Sequence, residues 1–389
     1  EVNAFLYEKP VDRETVVSQA KKKISSKINL KLIKTPDYST GHPLTDLSFI
    51  LKARKSIAAL NADLYIFDQP NTMVMLLPKK PSIAIFHGNI CSYINYKLSP
   101  FHLPSLIKKG LWQRVFVKRV MFRYLQNERN YLPLFNSLYS LNGSLRCIPE
   151  LNQDILRPLA IGLPVDYTMF FPSDELGRKF RENYGVHKDD LVLTYISNFA
   201  QKKLPNIVPE IIVPLLENKK IRFFFIGRSM DSEELDRFCD QQDNCFRISE
   251  IPHNDVNGYI NMSNILFTTS KTETFGYTIT EGMLCAKPNV VFSEGAQVEY
   301  IEHRVNGMIA NSKHEFTQHL ELLISDESLR QQLGREARKT ILKKFGLKKY
   351  MGKGESDYRR EFWGYSSMKK LIQKNFRANS FFIFTAVTI

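Results

Sequence analysis

An α/β protein with parallel sheets in two halves is what this sequence predicts, on three observations. Short apolar runs alternate with helix-like segments along the chain, in one series from Val2 and in another from Leu191. A stretch rich in Gly and Pro, Gly162 to Pro172, stands between the two series and reads as a linker. At 389 residues the chain is also long for a single core, so two domains are the natural expectation.

The elements of the first half read in order as follows. Val2 to Tyr7 is strand-like, Val11 to Ser26 helix-like, and Ile28 to Ile33 alternates apolar and polar residues as a strand does. Leu44 to Leu60 reads as helix, Ala62 to Asp68 as strand, Met73 to Leu77 as a short helix, and Pro81 to Gly88 as a buried strand. Tyr96 to Leu132 reads as mostly helical, with strands at Ser137 to Leu141 and Leu156 to Ile161.

The second half repeats the alternation. Strands are expected at Leu191 to Ser197, Ile221 to Gly227, Phe246 to Ile248, Ile265 to Phe267 and Asn289 to Phe292. Helices are expected at Pro205 to Leu216, Ser232 to Asp240, Asn254 to Met262, Val298 to Glu302, Glu315 to Ser325 and Glu327 to Lys344. Two Rossmann-like domains with a cleft between them are the simplest assembly: residues 1–165, residues 166–345, and a basic, aromatic tail at 346–389. The tail carries aromatics suited to packing back on the first domain, whereas its apolar end from Phe381 has no evident partner.

Composition bounds the function. The hydrophobic fraction of 43% suffices for two cores, and no apolar run reaches the roughly 18 residues needed to cross a bilayer. No secretory signal pattern opens the sequence, and five scattered cysteines without a C-x-x-C argue for a reduced, cytoplasmic setting over a disulfide framework or a zinc site. A formal charge of +14 calls for an anionic partner: nucleic acid, anionic lipid or a phosphorylated substrate. No nucleic-acid-binding motif accompanies the charge, so that class ranks below the others. The basic segment 108–123 interleaves cations with Trp112, Phe116 and Phe122. It suits an anionic membrane surface and, equally, a half-buried helix with a solvated basic edge.

The most informative stretch is Ser270 to Gly282. It follows the apolar run Ile265-Leu-Phe and sets two carboxylates, Glu273 and Glu281, on either side of a strand-to-helix turn. In a parallel sheet such turns bind phosphates and sugars, and the amides from Thr274 to Thr278 are helix-start donors. A ligand ordered sugar, diphosphate, ribose would meet carboxylate, amides, carboxylate. A charge favoured by the helix dipole explains Glu273 equally well from sequence alone. Gly276 suits a tight turn, and Gly282 inside a helix implies close packing or ligand approach.

These pieces resemble the GT-B glycosyltransferases of family GT4, whose members include sucrose-phosphate synthases and enzymes of bacterial polysaccharide biosynthesis. The resemblance runs from about Asn61 to Lys344. It rests on Glu273 and Glu281 in an E-x7-E register, Ser293-Glu-Gly with Val305-Asn-Gly-Met, Thr194 to Lys203, Ile221 to Gly227, and Ile83-Ala-Ile-Phe-His-Gly. It implies parallel sheets facing across a cleft and a metal-independent, retaining transfer of sugar from a nucleotide-sugar donor, UDP- or GDP-linked, to a glycan or lipid-linked acceptor. It further implies that Glu281 binds ribose and that Glu273 stands by the sugar. The amides of Thr274, Phe275 and Gly276 hold sugar or phosphate, Lys203 neutralises the diphosphate, and His87 reaches the sugar. Asn198 and Gly227 belong to the loops lining the donor. Many relatives carry Gly-Arg where this chain has Ser197-Asn198, and the first strand-to-helix loop lacks Gly. A weakened protein that binds sugar nucleotide or glycan without turnover is therefore the alternative.

Overall fold

The structure is a computed structural model that describes residues 2–8, 28–34, 65–68, 82–86, 131–135, 137, 139–140, 142, 157–158, 165–200, 203–228, 232–249, 251–345 and 382–385. The chain divides into two compact units, residues 1–160 with 354–389, and residues 161–353.

In the first unit the described backbone forms β1 (Val2–Glu8), β2 (Ile28–Lys34), β3 (Tyr65–Asp68), β4 (Ser82–Phe86), β5 (Tyr131–Phe135) and β6 (Arg157–Pro158). β1 and β2 pair in parallel. β3 to β6 lie side by side in chain order, also in parallel. Two expectations change here. Tyr131 and Leu132 open a strand, β5, where the end of a long helical segment was expected. The expected strand at Ser137 to Leu141 is instead a bend at Ser137 followed by helical residues at Tyr139 and Ser140. There the Ser137 hydroxyl accepts from the Ser140 amide at 3.2 Å, a local bond of the kind that competes with strand pairing.

The helices expected at Val11 to Ser26, Leu44 to Leu60 and Met73 to Leu77, the segment 108–123 and His87 lie outside the described residues. The apolar end of the tail forms a strand, Phe382–Thr385, that pairs in parallel with β3.

The second unit is described almost throughout. Its strands are β7 (Leu191–Ile196), β8 (Ile221–Ile226), β9 (Cys245–Ile248), β10 (Ile265–Thr268), β11 (Asn289–Phe292) and β12 (Met308–Ala310), which makes the tail strand β13. Its helices are α1 (Asp174–Asn183), α2 (Val208–Ile212), α3 (Glu233–Asp240), α4 (Val256–Met262), α5 (Tyr277–Leu284), α6 (Lys313–Ser325) and α7 (Glu327–Phe345). The parallel sheet runs β12-β11-β10-β7-β8-β9. The chain thus winds outward from β7 in one direction, returns to the other side of β7 at β10, and winds outward again. That order reverses between β7 and β10, and the crevice beyond the carboxyl ends of strands at such a reversal is where ligands bind in open α/β sheets.

Strand alternation explains why both faces are covered. Leu193, Tyr195, Phe223, Phe225, Phe267 and Phe292 point to one face, against Ile211 and Ile212 of α2, Leu235 of α3 and Phe316 and Leu320 of α6. Leu266 and Val291 point to the other, against Ile260 of α4, Ile279 and Met283 of α5 and Ile341 of α7. Truncating one of the fully buried phenylalanines to Ala costs about 3–5 kcal/mol, so this core fixes the strand ends firmly.

Two features escape a reading by apolar period. Helix α1 shows few apolar residues, and it docks through Gly177, where an added Cβ would lie 2.7 Å from the Asn261 carbonyl oxygen. The Asn261 side chain completes the joint, accepting from the Ser173 amide at 2.7 Å and donating to the Phe171 carbonyl at 3.0 Å. The expected helix at Val298 to Glu302 is a 3-10 turn at Ala296–Glu299. The ends of the unit meet where the Val165 amide donates to the Phe345 carbonyl at 3.2 Å.

Candidate functional site

The loop after β7 and the loop after β10 leave neighbouring strands, so residues far apart in sequence meet at the reversal of strand order. There the Lys203 ammonium forms an ion pair with Glu273 Oε1, both side chains largely shielded from solvent. The backbone beneath Lys203 is held from the sheet. The Tyr195 hydroxyl donates to the Lys203 carbonyl at 2.9 Å. Thr269 Oγ1 lies 2.9 Å from that oxygen and 3.0 Å from the Leu204 carbonyl, so one hydroxyl proton is shared between them. Phe199 and Leu204 bracket the loop with positive φ values of 27° and 53°, conformations that persist in non-glycine residues only where the surroundings enforce them.

The Glu273 loop is fixed from the other side by the segment after β11. The Ala296 amide donates to the Glu273 carbonyl at 2.7 Å, and the Tyr300 hydroxyl donates to the Phe275 carbonyl. Burial, with Glu273 and Glu299 nearby, holds the Tyr300 hydroxyl protonated well above the ordinary phenol range. The Gln297 amide nitrogen reaches the Ser270 and Phe292 carbonyls at 3.3 and 3.2 Å. Lys271 leans on the Phe292 ring and pairs with Glu294 at 2.8 Å.

Helix α5 begins at Gly276, whose φ of 79° suits the turn. No side chain caps this start and no acidic residue occupies its first turn, so the positive end of the helix keeps its affinity for an anion. Phe275 is buried beneath the turn, and Thr274 is partly buried in the loop. Glu281, one turn on, is only 8% exposed. Among the described residues its carboxyl has no hydrogen-bonding or ion-pair partner, and burial raises its pKa to about 7. Gly282 is explained by packing: an added Cβ would lie 2.2 Å from Leu266 Cδ1 on β10.

The expected residues divide accordingly. Lys203, Glu273, Thr274, Phe275, Gly276 and Glu281 belong to the two loops and the helix at the reversal. Asn198 is exposed at the end of β7. Gly227 serves the backbone, since its φ is 128° and an added Cβ would lie 2.0 Å from the Ser197 carbonyl oxygen. His87 lies outside the described residues. Tyr195, Thr269, Gln297 and Tyr300 were not singled out by the sequence, because their work is to hold backbone of segments distant in the chain. Among the described residues no three His, Cys, Asp or Glu side chains gather as metal ligands, and no helix is long and apolar enough to cross a membrane.

The sheet order is that of an open parallel α/β domain, and its fold is that of the GT-B class. Residues 178–340 match the family model of the glycosyl transferases group 1, and this part of the chain is a domain of that family. Alpha-monoglucosyldiacylglycerol synthase of Acholeplasma laidlawii is 22% identical over 248 residues, covering 62% of this chain and 59% of its own length. N-acetyl-alpha-D-glucosaminyl L-malate synthase of Bacillus anthracis is 22% identical over 209 residues, covering 50% of this chain and 51% of its own. The alignments thus span somewhat over half the length of these curated relatives. Among solved structures, Anabaena HepE in complex with UDP and glucose superposes with a TM-score of 0.63 at 16% identity, covering 89% of this chain and 96% of HepE. Sucrose-phosphate synthase from Thermosynechococcus elongatus gives 0.67 at 14% identity, covering 94% and 100%.

Proposed function

We propose that the protein transfers a sugar from a UDP- or GDP-linked donor to a glycan or lipid-linked acceptor, without a metal and with retention of anomeric configuration. The observation that carries this reading is the Lys203–Glu273 pair at the reversal of strand order, beside a helix start with no side-chain cap and a buried Glu281 without a partner among the described residues. The named relatives are synthases that build glucosyl or glucosaminyl products, and HepE binds UDP and glucose, which supports a nucleotide-sugar donor.

The residues have complementary work in such a reaction. As the bond from the anomeric carbon to the diphosphate oxygen breaks, negative charge grows on the leaving group and positive charge on the sugar. The Lys203 ammonium and the first amides of α5 meet the diphosphate. Glu273 meets the sugar through hydroxyls or through the charge at the anomeric centre. Glu281 accepts hydrogen bonds from ribose hydroxyls, partners its carboxyl lacks among the described residues.

A panel of UDP- and GDP-linked sugars, followed by thermal shift and by release of nucleoside diphosphate, tests the proposal. A true donor at 100 times its Kd stabilises by about 2.7 kcal/mol. Absence of binding by every member overturns the reading. The exposed Asn198, which offers only a neutral hydrogen bond, favours one second reading, a binder without turnover. Tight binding with no diphosphate released selects it.

A further inference from the structure

Arg247 stands on β9, at a strand position flanked by the hydrophobic Phe246 and Ile248, and its side chain is 14% exposed. A shielded cation on a strand costs desolvation unless its hydrogen bonds are met. Here strand ends and one carboxylate meet them. Nε donates to Asp236 Oδ1 of α3 at 2.6 Å. Nη1 lies 3.1 Å from the Phe225 carbonyl oxygen and 2.8 Å from those of Gly227 and Ile248. The guanidinium therefore gathers the carboxyl ends of β8 and β9, the rim on which the candidate site stands.

Its remaining contact points to a role. The guanidinium carbon lies 4.5 Å from the centroid of the Phe199 ring. Phe199 is fully buried, carries the positive φ of 27°, and packs edge-on against Tyr195 at 5.1 Å between centroids. Tyr195 in turn donates to the Lys203 carbonyl. Phe199 is thus anchored by Arg247, and Lys203 by Tyr195 and Thr269.

We propose that Arg247 is a positioning residue for Lys203: acting through Phe199 and Tyr195, it holds the Lys203 backbone so that the ammonium is presented to a donor diphosphate. This rests on the proposed function, and Arg247 itself touches no substrate. Lysine cannot replace it, because a single ammonium lacks the planar fork that spans Asp236 and the strand-end carbonyls while lying over a ring.

Three variants of the full chain test the proposal: Arg247→Lys, Phe199→Leu, which removes the ring and leaves the strand-end bonds, and Lys203→Met. The first readout is hydrogen exchange of the 197–204 amides, with α6 as an internal reference. Arg247→Lys and Phe199→Leu are each expected to speed exchange in 197–204 and leave α6 unchanged. The second is the affinity for UDP and GDP. Arg247→Lys is expected to weaken binding about tenfold with Lys203 present and about twofold or less in the Lys203→Met background, since a residue acting through another loses its effect when that other is gone. Unchanged exchange at 197–204, or an equal loss of affinity in both backgrounds, overturns the proposal. If the unmodified protein binds neither nucleotide, the reading of the site fails and the diphosphate role of Arg247 falls with it. The exchange result then still decides whether Arg247 holds the loop.

Discussion

The Lys203 ammonium and the Glu273 carboxylate are ion-paired although 70 residues separate them in the chain. Each leaves the carboxyl end of a strand, β7 or β10, and the two strands are neighbours only because the sheet order reverses there. Paired in this way, each charge neutralises the other. On the proposed function, a diphosphate bound at Lys203 would compete for the ammonium and free the Glu273 carboxylate for the sugar.

Replacing either member separates binding from chemistry. Lys203→Met is expected to weaken nucleoside diphosphate binding and to lower turnover about 100-fold or more, the scale on which one lost stabilising donor acts. Glu273→Gln is expected to retain nucleotide binding and lose turnover. Calorimetric Kd values beside initial rates check both, and full turnover by Glu273→Gln removes that residue from the mechanism.

Glu281 makes stability depend on pH and, on the proposed function, donor binding as well. Its folded pKa of about 7 stands above the ordinary 4.5, so folding favours the protonated form. Below 4.5 the carboxyl is neutral in both states and burial carries no charge penalty. The penalty grows as pH rises from there and is complete above about 7, where it reaches on the order of 3 kcal/mol. Glu281→Gln is expected to unfold at higher temperature than the parent at pH 8 and to match it at pH 4. Ribose hydroxyls prefer the ionised acceptor, so donor affinity should rise with pH through 7 in the parent and stay flat in the variant. Titrations with an intact nucleotide sugar at pH 6 and 8 read this directly.

Asn198 offers a gain of function. It is exposed at the end of β7, so arginine fits there without repacking. Asn198→Arg is expected to tighten nucleoside diphosphate binding several-fold at low ionic strength, with the gain fading as salt rises. An unchanged affinity at low salt would show that the diphosphate does not approach this end of the loop.

Gly227 cannot carry a side chain. Its φ is 128°, and a Cβ there would come within 2.0 Å of the Ser197 carbonyl oxygen, so no room is left between the ends of β7 and β8. Gly227→Ala is expected to lower stability by about 3 kcal/mol or more, read as a drop in the denaturant midpoint. A midpoint equal to the parent's would mean that the strand ends can separate freely.

Three things were already legible along the chain: the alternation of elements in the second unit, the two carboxylates around the β10–α5 turn, and Lys203 as the nearby cation. The first two rest on short-range patterns, namely apolar runs flanked by turn residues and a fixed spacing along one loop and helix, whereas Lys203 came from the family resemblance. The rest was settled only when distant segments came together. Helix α1 carries only two apolar side chains, Leu176 and Phe180, and its fit depends on partners remote in the chain: Phe180 packs on Tyr259, Gly177 lies against the Asn261 carbonyl, and the Asn261 side chain bonds Ser173. Strand β13 was not legible because an apolar end shows no partner until β3 lies beside it. Tyr195, Thr269, Tyr300 and Arg247 act on backbone carbonyls of other segments, and a hydrogen bond to a carbonyl leaves no trace in the identity of the residue that accepts it. The ionisation of Glu281 was likewise invisible, since burial is set by everything packed around a carboxyl and by nothing in its own side chain.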